Sequence, residues 1–254
     1  MKTLTLVVPC YNEEEALPPL FDRLRELKRA LGDTGALDLL FVDDGSKDKT
    51  AELLKAIPED LQPARVVTHN PNQGLGAAIA TGFREARGQY VAMMDADCTY
   101  DPFYLAAMLP LMKPGVDILT GSEFHPQGKV ENISWFRLFL SQNLSRIYRW
   151  TFWCRIYSFS CLMRIYRREI LLDILPGDSG FLSCTEVLIR ALQKGYKVVE
   201  FPLVLTERQH GETKMPIVKT IFDHLGFIGK ELLRKVTGGS SPAASPSSTG
   251  QESA

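Results

Sequence analysis

A chain of 254 residues and 28.5 kDa is long enough for one large α/β domain with a substantial core and marginal for two, so one domain is the expectation. Its 29 Lys and Arg balance 30 Asp and Glu to a formal charge of -1, which excludes the broad basic field that nucleic-acid binding as a main activity needs. Hydrophobic residues at 45% and charged residues at 23% exclude a mostly disordered, coiled-coil or collagenous chain.

The chain opens on an apolar run, Leu4 to Val8, that Pro9 and the acids Glu13, Glu14 and Glu15 interrupt, so it reads as a mature first strand rather than a signal peptide. Further short β-rich runs follow at Leu39 to Val42, Arg65 to Thr68 and Tyr90 to Met94. Between them lie helical stretches near Glu14 to Leu31, Lys49 to Ile57 and Gly76 to Arg87. That alternation predicts an α/β fold with a mainly parallel, doubly wound sheet. Asn12 with Glu15 three residues later predicts a capping box for the first helix.

The second half is less regular. It predicts a strand at Asp117 to Thr120, a long amphipathic segment, a strand near Tyr157 to Tyr166, a helix from about Phe181 to Gln193 ended by Gly195, and a strand at Lys197 to Phe201. From Met215 to Val236, Ile217, Ile221, Leu225, Ile228 and Leu232 recur at helical spacing, a stripe for core packing or for membrane contact. The folded domain is therefore expected over 1–236, with a Gly, Ser, Pro and Ala-rich tail at 237–254 expected to be disordered.

Cys10, Cys98, Cys154, Cys161 and Cys184 show no C-x-x-C spacing and the four histidines are scattered, so neither a zinc site nor a disulfide framework is expected. No stretch reaches the roughly eighteen uninterrupted apolar residues of a membrane span. Membrane contact is expected to be peripheral and the protein cytoplasmic.

In an open parallel sheet, ligands collect beyond the carboxyl ends of the strands. Three such ends are acidic or polar here: Pro9-Cys10-Tyr11-Asn12-Glu13, Asp43-Asp44-Gly45-Ser46 and Asp95-Ala96-Asp97. If the chain is still extended at the third, both carboxylates point to one face and Ala96 to the other. Two carboxylates on one face suit a hard divalent cation that shares phosphate oxygens with a substrate, although strand-end aspartates also serve as turn formers or caps. Asn72-Gln73-Gly74-Leu75-Gly76 resembles a phosphate-cradling glycine loop without matching G-x-G-x-x-G, and can equally be a tight turn that lets a helix pack closely.

Asn132 to Arg168 contains no Asp or Glu and interleaves Arg137, Arg146, Arg149, Arg155, Arg164, Arg167 and Arg168 with many aromatic residues. That mixture favours the headgroup region of an anionic membrane over core packing with Arg stems alongside, and nucleic acid is not an expected partner.

Together, Val8-Pro9-Cys10-Tyr11-Asn12-Glu13-Glu14, Val42 to Thr50, Asn72 to Gly76 and Met94-Asp95-Ala96-Asp97 resemble the inverting nucleotide-diphospho-sugar glycosyltransferases of the GT-A fold. Gly121-Ser122, Lys129-Val130-Glu131-Asn132, Arg137 and Gly211-Glu212-Thr213-Lys214 make the chain similar to the dolichyl- and polyprenyl-phosphate mannosyl or glucosyl transferases, over roughly residues 3 to 234. The resemblance implies a single Rossmann-like GT-A domain with peripheral amphipathic helices. Pro9, Tyr11, Glu13 and Asp43 would hold the base and ribose of a GDP-mannose or UDP-glucose type donor, with Phe41 nearby. Asp95 and Asp97, with Ala96 between, would hold Mg²⁺ or Mn²⁺ at the diphosphate, and Asp97 also counts with Arg137 and Arg208 as catalytic. Arg137, Arg208 and Lys214 match positions that bind acceptor phosphate or donor diphosphate.

The chain departs from the family pattern at Thr99, where relatives often carry Gln, at Glu123, where Arg commonly follows Gly-Ser, and at Ser160 to Arg164, in place of Ser-Gly-Phe. The reaction expected is hexose transfer with inversion to a polyprenyl phosphate on the cytoplasmic face of a membrane. Two alternatives are transfer to a hydroxyl with Glu186 as base, and a non-catalytic nucleotide-sugar-binding protein.

Overall fold

The structure, a computed structural model, describes residues 2–32, 35–178, 180–207 and 217–237, with all of their side chains except those of 136, 137, 217, 218, 235 and 236. Two compact units are present, divided after Met215. The first carries a seven-stranded sheet: β1 (Lys2–Cys10), β2 (Gly35–Asp43), β3 (Ala64–Thr68), β4 (Tyr90–Met93), β5 (Ile118–Ser122), β7 (Arg164–Arg167) and β8 (Val198–Pro202), in the order β3-β2-β1-β4-β7-β5-β8. Only β7 is antiparallel to its neighbours; every other pairing in this sheet is parallel. A small second sheet pairs β6 (Lys129–Val130) with β9 (Val204–Leu205). The helices are α1 (Leu17–Leu31), α2 (Thr50–Lys55), α3 (Leu75–Glu85), α4 (Tyr104–Met108), α5 (Trp135–Phe152) and α6 (Ser183–Gln193). The second unit is described as one helix, α7 (Ile217–Val236). The expected α/β class with a mostly parallel sheet is the fold found.

β1 lies in the middle of the sheet, and Leu4 to Val8 are all buried because helices cover both faces. On one face, Leu4, Leu6 and Val8 meet Leu17, Leu20, Phe21, Leu24, Leu27 and Leu31, the apolar stripe of α1. On the other, Val7, Leu40 and Val42 meet Ala78, Ile79 and Phe83 of α3. The α3 contact is so close that a Cβ on Gly82 would lie 2.3 Å from Val7 Cγ1, which is why a glycine stands there.

Two local expectations fail. The capping box does not form: α1 begins at Leu17, with proline in its first turn, and no side chain caps it. Asn12 instead adopts φ 53° and its Oδ1 accepts the Lys47 amide at 2.7 Å, so a tertiary bond has taken the group the cap needed. The strand expected near Tyr157 to Tyr166 is reduced to Arg164–Arg167. Upstream, the Tyr157 and Ser158 amides donate to Glu200 Oε1 at 2.8 and 3.1 Å, and the Phe159 carbonyl accepts from Arg164, so side chains replace the ladder. The strand order reverses between β1 and β4, the kind of switch point beyond whose carboxyl ends open α/β sheets bind ligands. The tail expected over 237–254 lies, after Thr237, outside the described residues.

Candidate active site

Five hydrogen bonds join the chain that leaves β1 to the chain that leaves β2. The amides of Asn12, Glu13 and Glu14 donate to Ser46 Oγ (3.0 Å), Thr50 Oγ1 (2.7 Å) and Asp48 Oδ2 (3.1 Å). In return, the Lys47 and Lys49 amides donate to Asn12 Oδ1 (2.7 Å) and Glu14 Oε2 (2.9 Å). Pro9, Tyr11 and Glu13 stand half-buried on this platform. Asp43, at the end of β2, is buried and its Oδ1 accepts the Ser46 amide at 3.0 Å, so it shapes the turn. Phe41 is a correction: fully buried, it meets Phe21 of α1 edge-on with ring centroids 6.0 Å apart, so its side chain belongs to the core rather than to a ligand.

Asp44 has a role that sequence reasoning did not assign. Its Oδ1 accepts the Gln73 amide (2.9 Å) and its Oδ2 the Gly74 amide (2.8 Å), while Asn72 Nδ2 donates to its carbonyl (2.9 Å). His69 Nδ1 lies 2.7 Å from Asp44 Oδ1, and its Nε2 lies 2.9 Å from Thr81 Oγ1 on α3. A carboxylate only accepts, so Nδ1 carries the proton toward it. The glycine-loop amides at 73 and 74 are therefore spent on Asp44, which decides for the structural reading of that loop over a phosphate cradle. Gly45, at φ 71°, lets Asn72 approach: a Cβ there would lie 2.8 Å from the Asn72 amide nitrogen. The pair Asp44 and Asn72-Gln73-Gly74 was visible in the sequence, but nothing local says that they meet.

β4 ends at Met93 and the chain turns through Ala96 and Asp97. Burial nevertheless alternates as expected: Asp95 and Asp97 are half-buried while the Ala96 side chain is buried in the core, leaving only its backbone for a ligand. Asp97 Oδ1 accepts the Thr99 amide at 3.0 Å, and the Thr99 carbonyl accepts the Thr206 amide (3.3 Å) and hydroxyl (3.2 Å). Burial, and then the Asp97 carboxylate, push the Cys98 thiol up to about 12.

Behind this turn lies Arg164, fully buried at the level of Met93 in the sheet. Its guanidinium donates to Thr120 Oγ1 (3.0 Å), the Cys184 carbonyl (2.6 Å) and the Phe159 carbonyl (2.7 Å), joining β5, α6 and the segment before β7. Glu123 is also buried; burial pushes its carboxyl above the ordinary value of 4.5, and Oε2 has no hydrogen-bond partner among the described residues. Glu186 does not fit a general base. Its Oε1 accepts Arg190 Nε (3.1 Å) and a terminal guanidinium nitrogen (2.7 Å), and its Oε2 accepts the Gly177 and Asp178 amides (both 2.8 Å). Both oxygens are engaged in holding a loop on α6.

Arg137 sits in the first turn of α5, its side chain outside the described residues, and Arg208 and Lys214 lie wholly outside them. The donor set at Asp95 and Asp97 fits a Mg²⁺ or Mn²⁺ ion: two hard carboxylates, half-open, at the rim of the switch point. Among the described residues no group of three or more His, Cys, Asp or Glu could hold an ion, so diphosphate oxygens and water would complete the coordination. No described helix is long and apolar enough to cross a membrane.

A family model described as Glycosyl transferase family 2 matches residues 5–175. The chain is 34% identical over 217 residues to a polyprenol monophosphomannose synthase of Mycolicibacterium smegmatis, covering 83% of this chain and 80% of that protein. It is 31% identical over 231 residues to a dolichol-phosphate mannosyltransferase of Pyrococcus furiosus (89% and 62% covered), and 30% over 226 residues to an undecaprenyl-phosphate 4-deoxy-4-formamido-L-arabinose transferase of Pectobacterium atrosepticum (87% and 65%). It therefore spans less than two thirds of those last two. Among solved structures, glucosyl-3-phosphoglycerate synthase from Mycobacterium tuberculosis in complex with UDP superposes with a TM-score of 0.64 at 20% identity, covering 90% of this chain and 80% of that one. The same protein with Mn²⁺, UDP and glucosyl-3-phosphoglycerate gives 0.60 at 19% identity, covering 93% and 79%. At that identity the likeness is one of fold.

Proposed function

The chain belongs to glycosyl transferase family 2 and is a glycosyltransferase, and from that premise we propose that it moves a mannose- or glucose-type hexose, with inversion, from a nucleotide-diphosphate sugar to a polyprenyl or dolichyl phosphate. The observation that carries the reading is the half-buried Asp95 and Asp97 pair at the end of β4, next in the sheet to β1 and its Pro9-to-Glu13 platform. The named activities of the two most similar relatives described above support the lipid phosphate acceptor. The working catalytic domain is residues 1–236, acting peripherally at the cytoplasmic face of a membrane.

In this reading Pro9, Tyr11, Glu13 and Asp43 receive the base and ribose, and Asp95 and Asp97 hold a Mg²⁺ or Mn²⁺ ion. The ion, when bound, supplies positive charge to the leaving diphosphate. Arg208 and Lys214 add cationic donors to the same oxygens, where charge builds in the transition state. Arg137 orients the acceptor phosphate for attack on the anomeric carbon. A phosphate monoester is already anionic near neutral pH, so no strong general base is required. The saturated Glu186 accords with that and counts against a hydroxyl acceptor served by this residue.

Incubation with GDP-mannose or UDP-glucose, Mg²⁺ or Mn²⁺ and a polyprenyl phosphate is expected to yield sugar in the organic phase. Absence of such a product with every common donor, from protein that still binds nucleotide, overturns the proposal.

A further inference from the structure

α5 and the residue that caps it present three tryptophans and a phenylalanine to solvent. Trp135 and Trp150 are each 76% exposed and Trp153 is 87% exposed, with Phe139 exposed on the same stripe, whereas Ser145, Tyr148 and Thr151 are buried on the opposite side. Positions 135, 139, 146, 150 and 153 recur at three-, four- and seven-residue steps and so share one helical face. α5 carries no Asp or Glu. Trp153, which ends it, adopts the left-handed conformation (φ 49°, ψ 42°), where a glycine is the unstrained choice and a bulky side chain costs energy. Strain that holds the most exposed indole of the stripe in place points to a use for it.

Beside it lies an open groove of about 390 Å³ lined by Arg146, Arg149, Trp150, Trp153 and Cys154. The Arg149 guanidinium is stacked 4.4 Å from the centre of the Tyr157 ring, which orients its fork, and Arg146 reaches Asn143 Oδ1 at 3.3 Å. The other arginines of this region narrow the choice. Arg164 is buried and Arg167 is bonded to the Val116 and Lys113 carbonyls, whereas Arg155 and Arg168 are exposed outside α5, so Arg146 and Arg149 are the cations that line the groove.

We propose that the Arg146, Arg149, Trp150 and Trp153 groove binds the phosphodiester headgroup of an anionic phospholipid, a site separate from the acceptor phosphate at Arg137. It rests on the membrane-surface reading above and names the surface and the lipid chemistry. Two guanidinium forks match a phosphodiester, and indoles flanking them match the boundary between headgroup and acyl chain. Two cations on one helix face, in a chain of net charge -1, make no track for a nucleic-acid backbone.

The test is co-sedimentation of the full chain with vesicles of phosphatidylcholine alone or mixed equally with phosphatidylglycerol, using wild type, R146S/R149S and W150S/W153S. Wild type is expected to partition to the phosphatidylglycerol vesicles and less so in high salt. Loss of the two arginines should weaken partitioning about 30-fold, and loss of the two indoles by on the order of tenfold. GDP-mannose or UDP-glucose affinity by calorimetry should stay at the wild-type value in both variants, which shows that they are folded. Equal partitioning of wild type and both variants, indifference to phosphatidylglycerol, or tighter binding to single-stranded RNA overturns the proposal. Headgroup-dependent binding without any sugar-lipid product would count against the transferase reading alone, and product without headgroup dependence against this inference alone.

Discussion

Asp44→Ala tests the clamp on the glycine loop most directly. The substitution removes the acceptors for three donors at once, the Gln73 and Gly74 amides and His69 Nδ1, in a place where both Asp44 and His69 are buried. Each buried donor left without a partner costs about 1–3 kcal/mol. Water reaching the loop from its half-exposed side should keep the total near the lower end, about 3–5 kcal/mol. That is a large part of the roughly 5–15 kcal/mol that holds a domain folded, and corresponds to a melting temperature lower by on the order of 10 °C for a unit of this size. Urea denaturation of wild type, D44A and D44N measures it, with D44N intermediate because its carboxamide retains one acceptor oxygen. A double-mutant cycle with H69A should show coupling, since the two side chains share a hydrogen bond. A D44A loss below about 1 kcal/mol, or additivity with H69A, would refute the clamp.

Four further outcomes are expected. Gly82→Ala places a methyl 2.3 Å from Val7 Cγ1 and should destabilise by about 1–3 kcal/mol, largely recovered in V7A/G82A; denaturant melts that show no recovery would place the strain elsewhere. Glu186→Gln turns an amide nitrogen toward either Arg190 or the Gly177 and Asp178 amides, lowering the melting temperature while the pH–rate profile keeps its shape; lost activity at unchanged stability would instead mark a base. Because the folded Glu123 carboxyl titrates above its ordinary 4.5, wild type loses stability as pH rises from that value through the folded pKa. E123Q, which cannot ionise, should therefore gain on wild type toward pH 8 and lose that advantage below the ordinary value, and parallel stability-versus-pH curves would contradict it. Asp95→Asn is expected to cut turnover roughly 10²–10³-fold and to abolish the Mn²⁺-dependent rise in melting temperature with GDP or UDP; an unchanged Mn²⁺ response would remove Asp95 from the metal site.

Much of the framework was legible because its signals are local. β1 to β4 were readable as short apolar runs, and α1 and α3 as stretches of helical period, since burial on a sheet or helix face imposes a period on the chain itself. The acidic strand ends were legible for the same reason: a strand that stops at Met93 puts Asp95 and Asp97 at the rim, whatever lies across from them. Phe41 shows the limit of that reasoning. It lies two residues before Asp43 on the same strand face, yet its ring is taken by Phe21 of α1 while the Asp43 carboxylate accepts the Ser46 amide.

By itself, the sequence determined the α/β alternation, the acid pair and the polar loops after β1 and β2, because each is a matter of neighbours within a few residues. Tertiary structure decided what those groups do. Asn12 gave up its cap to Lys47, Asp44 closed the glycine loop from about thirty residues away, Arg164 turned inward to join three elements, and Glu186 was bound by four donors. A buried polar group takes whichever partner the packed chain brings within 3 Å, and that partner has no fixed distance along the sequence.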